Sequence, residues 1–135
     1  MDRVIPCTIG IGSNTADRES QVKKAIEYIC DHMAECKVSS AYDSEAVSGD
    51  GTIYTNAVIH GRTNKTADQL VTFLKDYESM QGRGGAATAE NGAGNVVIDL
   101  DLVIYDSRIL RPRDFERHYF NYGYSELLAD GAYID

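Results

Sequence analysis

The chain has 135 residues, enough for one domain over 1–135 with a real core, and 43% hydrophobic with 25% charged residues is ordinary globular composition. A net charge of −8 argues against a nucleic-acid surface, which needs a basic face. No apolar run approaches a membrane span, the N-terminus lacks a secretory pattern, and a cytoplasmic location is expected. Cys7, Cys30 and Cys36 lack CxxC or Cys/His ligand spacing and read as reduced thiols. His32, His60 and His118 are scattered and suggest no metal.

Val4 to Ile11 is an apolar run suited to a buried strand, and Gly12, Ser13 and Asn14 follow with turn chemistry. Ser13, Asn14 or Thr15 can cap the next helix, where Val22, Ala25, Ile26, Ile29, Cys30 and Met33 recur at helical spacing over about 17–35. Alternation at Val38, Ser40, Tyr42 and Ser44 predicts a half-buried strand over 37–47. Another strand is expected over 53–62 after the turn at 48–51. Thr66 with Gln69 three residues on forms a capping box for a second helix, whose stripe is Leu70, Val71, Phe73, Leu74, Tyr77 and Met80 and whose C′ residue is Gly82. Residues 83–95 are small, Gly-rich and aperiodic, as in a functional loop. A strand around 96–105 and a short return strand over 107–110 follow, while 111–135 is polar and aromatic without a clear pattern.

The order strand, helix, strand, strand, helix, strand predicts an α+β, ferredoxin-like βαββαβ fold, an antiparallel sheet with two helices on one face. Its first and last main strands lie side by side at the centre.

The last of these strands, Val96-Val97-Ile98-Asp99-Leu100-Asp101-Leu102-Val103-Ile104-Tyr105, is apolar except for two acids. Strand alternation puts Asp99 and Asp101 on one face, roughly 6–7 Å apart at Cα. Two readings stand open. The pair is either a half-solvated surface or a platform for Mg²⁺, a hard cation that combines carboxylates with substrate phosphates and water.

Five segments, in order, resemble the 6-hydroxymethyl-7,8-dihydropterin pyrophosphokinases, which move a pyrophosphoryl group from ATP to a pterin alcohol in folate biosynthesis. They are Ile9-Gly10-Ile11-Gly12-Ser13-Asn14, Val38-Ser39-Ser40-Ala41-Tyr42, Tyr54-Thr55-Asn56-Ala57-Val58, Glu78-Ser79-Met80-Gln81-Gly82-Arg83 and Ile98-Asp99-Leu100-Asp101-Leu102. The resemblance covers about 4–127. It implies ATP as co-substrate and two Mg²⁺ ions held by the catalytic Asp99 and Asp101, with Arg83 also catalytic. It implies Asn56 as pterin reader, Tyr54 and Phe120 as the rings that sandwich the pterin, and Ser44 to Gly49 as a lining loop. Glu78, Arg113 and Arg117 are implied on the nucleotide side.

The chain departs from that family where phosphate is bound. The family's Trp-Gly-Pro-Arg segment is Ala93-Gly94-Asn95-Val96 here, residues 84–95 contain no basic residue, and the family's Pro-His pair reads Pro112-Arg113. Losing one donor tuned to the transition state costs about 2.7–4 kcal/mol. Arg108, Arg111, Arg113 and Arg117 either replace those contacts or form a solvated tail that pairs with Asp106, Asp114 and Glu116. Three functions follow: a Mg-dependent pyrophosphokinase, an impaired relative that only binds pterin or nucleotide, or a partner-binding domain with no small ligand.

Overall fold

Nine consecutive residues alternate between two faces in β1 (Ile5–Ser13): Cys7, Ile9 and Ile11 point one way, Thr8, Gly10 and Gly12 the other. The computed structural model describes residues 4–46, 49, 51–81, 96–129 and 131. Along the described chain, β1 is followed by α1 (Arg18–Asp31), β2 (Glu35–Val38), β3 (Tyr42–Glu45), β4 (Ile53–Thr63), α2 (Ala67–Met80), β5 (Asp99–Tyr105), β6 (Arg108–Ile109), α3 (Pro112–Glu116) and α4 (His118–Ala129). The strands form one antiparallel sheet in the order β2-β4-β1-β5-β6, with β3 also on β4.

On one face, Cys7, Ile9, Ile11, Ala57, Ile59, Leu100 and Leu102 meet Val22, Ala25 and Ile29 of α1 and Leu70, Leu74 and Tyr77 of α2. The capping box at Thr66 forms as expected. None of the three proposed α1 caps acts: the N-cap is Asp17, without a side-chain cap bond. Asn14 instead binds both backbone groups of Val96, at 3.0 Å and 2.6 Å, and fastens the end of β1 to the approach to β5. Helix α1 stops at Asp31, and the strand expected over 37–47 is two short strands that both pair with β4. The loop 83–95 and Gly82 lie outside the described residues.

Two expectations need correction. Cys30 and Cys36 are disulfide-bonded, not reduced; the turn between α1 and β2 brings their Cα atoms to 5.5 Å, within bridging distance, whereas Cys7 is a free, buried thiol. The acidic strand is beside the central strand, not itself central: β6 pairs only with Ile104 and Tyr105, so Asp99 and Asp101 have β1 alone as sheet neighbour among the described residues.

Residues 112–129, unassigned from sequence, form α3 and α4 on the sheet's second face. There Phe120 and Leu127 bury against Val58, Val103 and Ile104. A bulge between Thr8 and Ile9 lets Val103 and Ile104 join this second core while Leu102 stays in the first. Helix α4 is latched to the β2–β3 connection: Glu126 accepts from the backbone N and Oγ of Ser40, at 2.7 and 2.6 Å, and Tyr42 Oη donates to the Tyr119 carbonyl.

Gly123 makes that docking possible. A Cβ there would stand 2.7 Å from Val58 Cγ2 and 2.9 Å from Ser39 Oγ and Tyr42 Oη. Gly123→Ala is expected to destabilise by about 1–3 kcal/mol, the cost of overpacking, despite alanine's better helix propensity. Urea denaturation checks this; an unchanged or raised midpoint would contradict the close packing.

Candidate active site

The register of β1 with its two neighbours builds the site. Gly12 pairs with Asn56 on β4 and with Asp99 on β5; Gly10 pairs with Val58 and Asp101. Two rows therefore cross the second face, each with a glycine between a β4 side chain and a carboxylate. The glycines leave the floor low: a Cβ on Gly12 would meet Asn56 Oδ1 at 3.4 Å and Tyr54 Cδ2 at 3.5 Å, and one on Gly10 would meet Phe120 Cδ1 at 3.4 Å. Above this floor is a cavity of about 310 Å³, lined by Tyr54, Asn56, Ser44, Glu45, Ala46, Asp99, Asp101, Asp114, Tyr119 and Phe120.

Asn56 is only 4% exposed, and its amide is held in one orientation. Its Nδ2 donates to Ser44 Oγ at 2.7 Å and to the Tyr42 carbonyl at 3.3 Å. Phe120, 2% exposed, comes from α4 across the cavity from the β4 residues and stacks on Tyr124. An oriented amide beside Tyr54 and Phe120 suits a flat heteroaromatic ligand with adjacent donors and acceptors.

At the other end lie the acids. Burial, and next the negative charge of Asp99, raise the Asp101 carboxyl to about 6, although Lys75 and Arg111 oppose the shift. Asp101 Oδ1 lies 3.4 Å from Lys75 Nζ and 3.7 Å from Arg111 Nε. Arg111 also bonds Asp114, which accepts from Tyr119 Oη at 2.6 Å. Burial alone would raise Asp114, but the Tyr119 and Arg111 hydrogen bonds outweigh it and hold the carboxyl below its usual range.

Hard oxygen donors repelling each other on a stiff strand fit a divalent cation with phosphate and water in the rest of its shell. No cluster of three or more His, Cys, Asp or Glu ligands exists among the described residues, so the protein would supply only part of the coordination.

The structure thus gathers Asp99, Asp101, Asn56, Tyr54, Phe120 and Ser44 around one cavity. It does not bring the rest there. Glu78 is 3% exposed and accepts from the Leu100 amide at 2.6 Å and from Lys75 at 3.0 Å, which ties α2 to β5. Arg113 and Arg117 line a neighbouring open groove with Arg111. Gly49, with φ +72, turns the loop by donating to the Ala46 carbonyl. Arg83 lies outside the described residues. Sequence reasoning missed Lys75, Asp114 and Tyr119 as members of the site. The i,i+3 spacings Lys75–Glu78 and Arg111–Asp114 carried a signal of ion pairing, but not of where the pairs would stand.

With this geometry, comparison with known proteins is specific. The model of the 7,8-dihydro-6-hydroxymethylpterin-pyrophosphokinase (HPPK) family matches residues 8–129. The chain belongs to the HPPK family. The 2-amino-4-hydroxy-6-hydroxymethyldihydropteridine pyrophosphokinase of Aquifex aeolicus is 29% identical over 107 residues, covering 78% of this chain and 64% of that protein. The protein of the same name from Bacillus subtilis is 28% identical over 120 residues, covering 81% of this chain and 70% of its own length. The chain thus spans just under two thirds of the first of these HPPK relatives.

Asp101 gives the cation-free protein a pH signature. Its folded carboxyl, near 6, lies above the ordinary 3.8, so between about 4 and about 6 the folded chain keeps a proton that the unfolded chain has lost. That stabilisation is fully present below about 4 and is lost as pH rises through about 6. Measured in EDTA, the Tm of Asp101→Asn is expected to gain on wild type as pH goes from 4 to 7. A difference that stays constant with pH would show that Asp101 is not strained.

Proposed function

We propose that this chain transfers pyrophosphate from ATP to 6-hydroxymethyl-7,8-dihydropterin, the activity named for its relatives, as a step of folate biosynthesis. One observation carries the reading: a fixed amide, two aromatic rings and a pair of carboxylates line the same cavity. The strand order and antiparallel pairing, with α1 and α2 on one face, support the ferredoxin-like plan for the frame. No described helix is long and apolar enough to cross a membrane. We place the protein in the cytoplasm, where the Cys30–Cys36 bridge would be exposed to reduction.

In this reading Asn56, oriented by Ser44, reads the amide-like edge of the pterin, and Tyr54 and Phe120 hold its ring plane. That puts the hydroxymethyl group toward the acidic end. Its oxygen attacks the β-phosphorus of ATP and gives up its proton to solvent, the bond from that phosphorus to the oxygen bridging to the α-phosphate breaks, and AMP leaves. Asp99 and Asp101 would hold Mg²⁺, which neutralises the polyphosphate when bound. Arg111, 3.7 Å from Asp101, and then Arg113 and Arg117 are the candidate partners for the outer phosphates.

A second reading, pterin binding without turnover, has specific support. The resemblance implies an arginine where Val96 stands, and neither Arg113 nor Arg117 lines the cavity.

An assay with ATP, Mg²⁺ and the pterin alcohol is expected to produce AMP, with Asp99→Asn and Asp101→Asn each slower by about 10²–10³-fold. Pterin binding in a calorimeter without AMP formation would select the second reading. Asn56→Ala strips a buried hydrogen-bonding group and is expected to weaken pterin binding by roughly 1–3 kcal/mol. Titration against the folded variant checks it; unchanged affinity would remove Asn56 from the recognition site.

A further inference from the structure

Lys75 lies on α2, on the opposite side of the sheet from the cavity floor, yet its ammonium reaches the acidic pair. Nζ is 2.8 Å from the Leu100 carbonyl, 3.0 Å from Glu78 Oε2 and 3.4 Å from Asp101 Oδ1. An ammonium has three protons, and here three acceptors take them. The acceptors belong to the β5 backbone, the buried carboxylate of α2 and the site itself. Glu78 is in turn held by the Leu100 amide at 2.6 Å, so the lysine is braced from two directions. The Lys75 side chain is 45% exposed, so these three bonds, and not burial, hold the ammonium in place.

The consequence falls on Asp101. Its Oδ1 already faces Lys75 at 3.4 Å and Arg111 at 3.7 Å. A carboxylate that bridges two divalent ions uses both oxygens, and each ion must tolerate its neighbours' charge. With Oδ1 turned to a fixed cation, only the other oxygen remains for metal, and a second divalent ion near Oδ1 would be repelled by the ammonium.

We propose that Lys75 is a built-in cation of the acidic pair, standing where a second divalent ion would otherwise bind, so that this chain takes one divalent ion where its resemblance implies two. Lys75 is a positioning residue: it touches neither pterin nor the reacting atoms, and acts through Asp101. This rests on the pyrophosphokinase reading for the nucleotide, but Lys75's effect on metal binding does not.

The test is Mn²⁺ binding, read from the loss of the free-ion paramagnetic resonance signal, on the full chain with and without an equimolar non-hydrolysable ATP analogue. In the analogue complex, wild type is expected to bind one ion and Lys75→Gln two, while Lys75→Arg stays at one. Glutamine can still donate to the Leu100 carbonyl, and a thermal melt confirms that the variant is folded. Without the analogue, Lys75→Gln is expected to bind Mn²⁺ at least tenfold tighter than wild type. Two ions on wild type, or Lys75→Gln identical to wild type in both arms, would overturn the proposal. Failure of the analogue to bind would count against the pyrophosphokinase reading alone, and the metal-only arm would still decide the role of Lys75.

Discussion

The site depends on the antiparallel register that β1 keeps with β4 and β5 together. Pairing Gly12 with Asn56 on one side and Asp99 on the other places a buried amide and a carboxylate in one row, two strand spacings apart. A slip of one residue in either ladder would turn Asn56 or the acids into the first core and aim Ala57 and Ile59, or Leu100 and Leu102, at the cavity. The apolar face prevents the slip, because Ile9, Ile11, Ile59, Leu100 and Leu102 are all buried under α1 and α2. The core under the helices thus sets the geometry of the opposite face.

A second constraint closes the cavity. Sheet and first-layer helices alone would leave Asn56 and the acids on an open surface. Helix α4 turns that surface into a pocket by placing Phe120 above Gly10, and it stays in place through Glu126 on Ser40, Tyr42 on the Tyr119 carbonyl, and the missing side chain of Gly123. The same tail brings Arg111, Asp114 and Tyr119 to the acids. The cavity is therefore finished by residues distant in sequence from the strands that form its floor.

The electrostatics divide the cavity into two ends. At the Asn56 end the amide nitrogen is held by Ser44 Oγ and the Tyr42 carbonyl. The Asp101 end is charged and held by opposing forces: burial and Asp99 push its carboxyl up, Lys75 and Arg111 pull it down.

Sequence alone determined the frame and the two poles of the site. Alternation in β1, β4 and β5 and the 3.6-residue stripes of α1 and α2 are local patterns, and local patterns are written directly in residue order. Asp99 and Asp101 were legible because two charges in an apolar strand need a reason, and Asn56, Tyr54 and Ser44 because they sit in segments that resemble a family. The tail was not legible: 112–129 carries aromatic residues whose pairing with Val58 and Val103 depends on contacts some 17 to 60 positions away, and no local period encodes them. Glu78 looked like a site residue and proved to be a brace, because helical spacing says which way a side chain points but not what stands opposite. For the same reason only the tertiary structure could decide that Lys75, on the far side of the sheet, comes within 3.4 Å of Asp101: α2 and β5 meet across 26 positions of sequence, and that meeting exists only once the sheet and helix have packed.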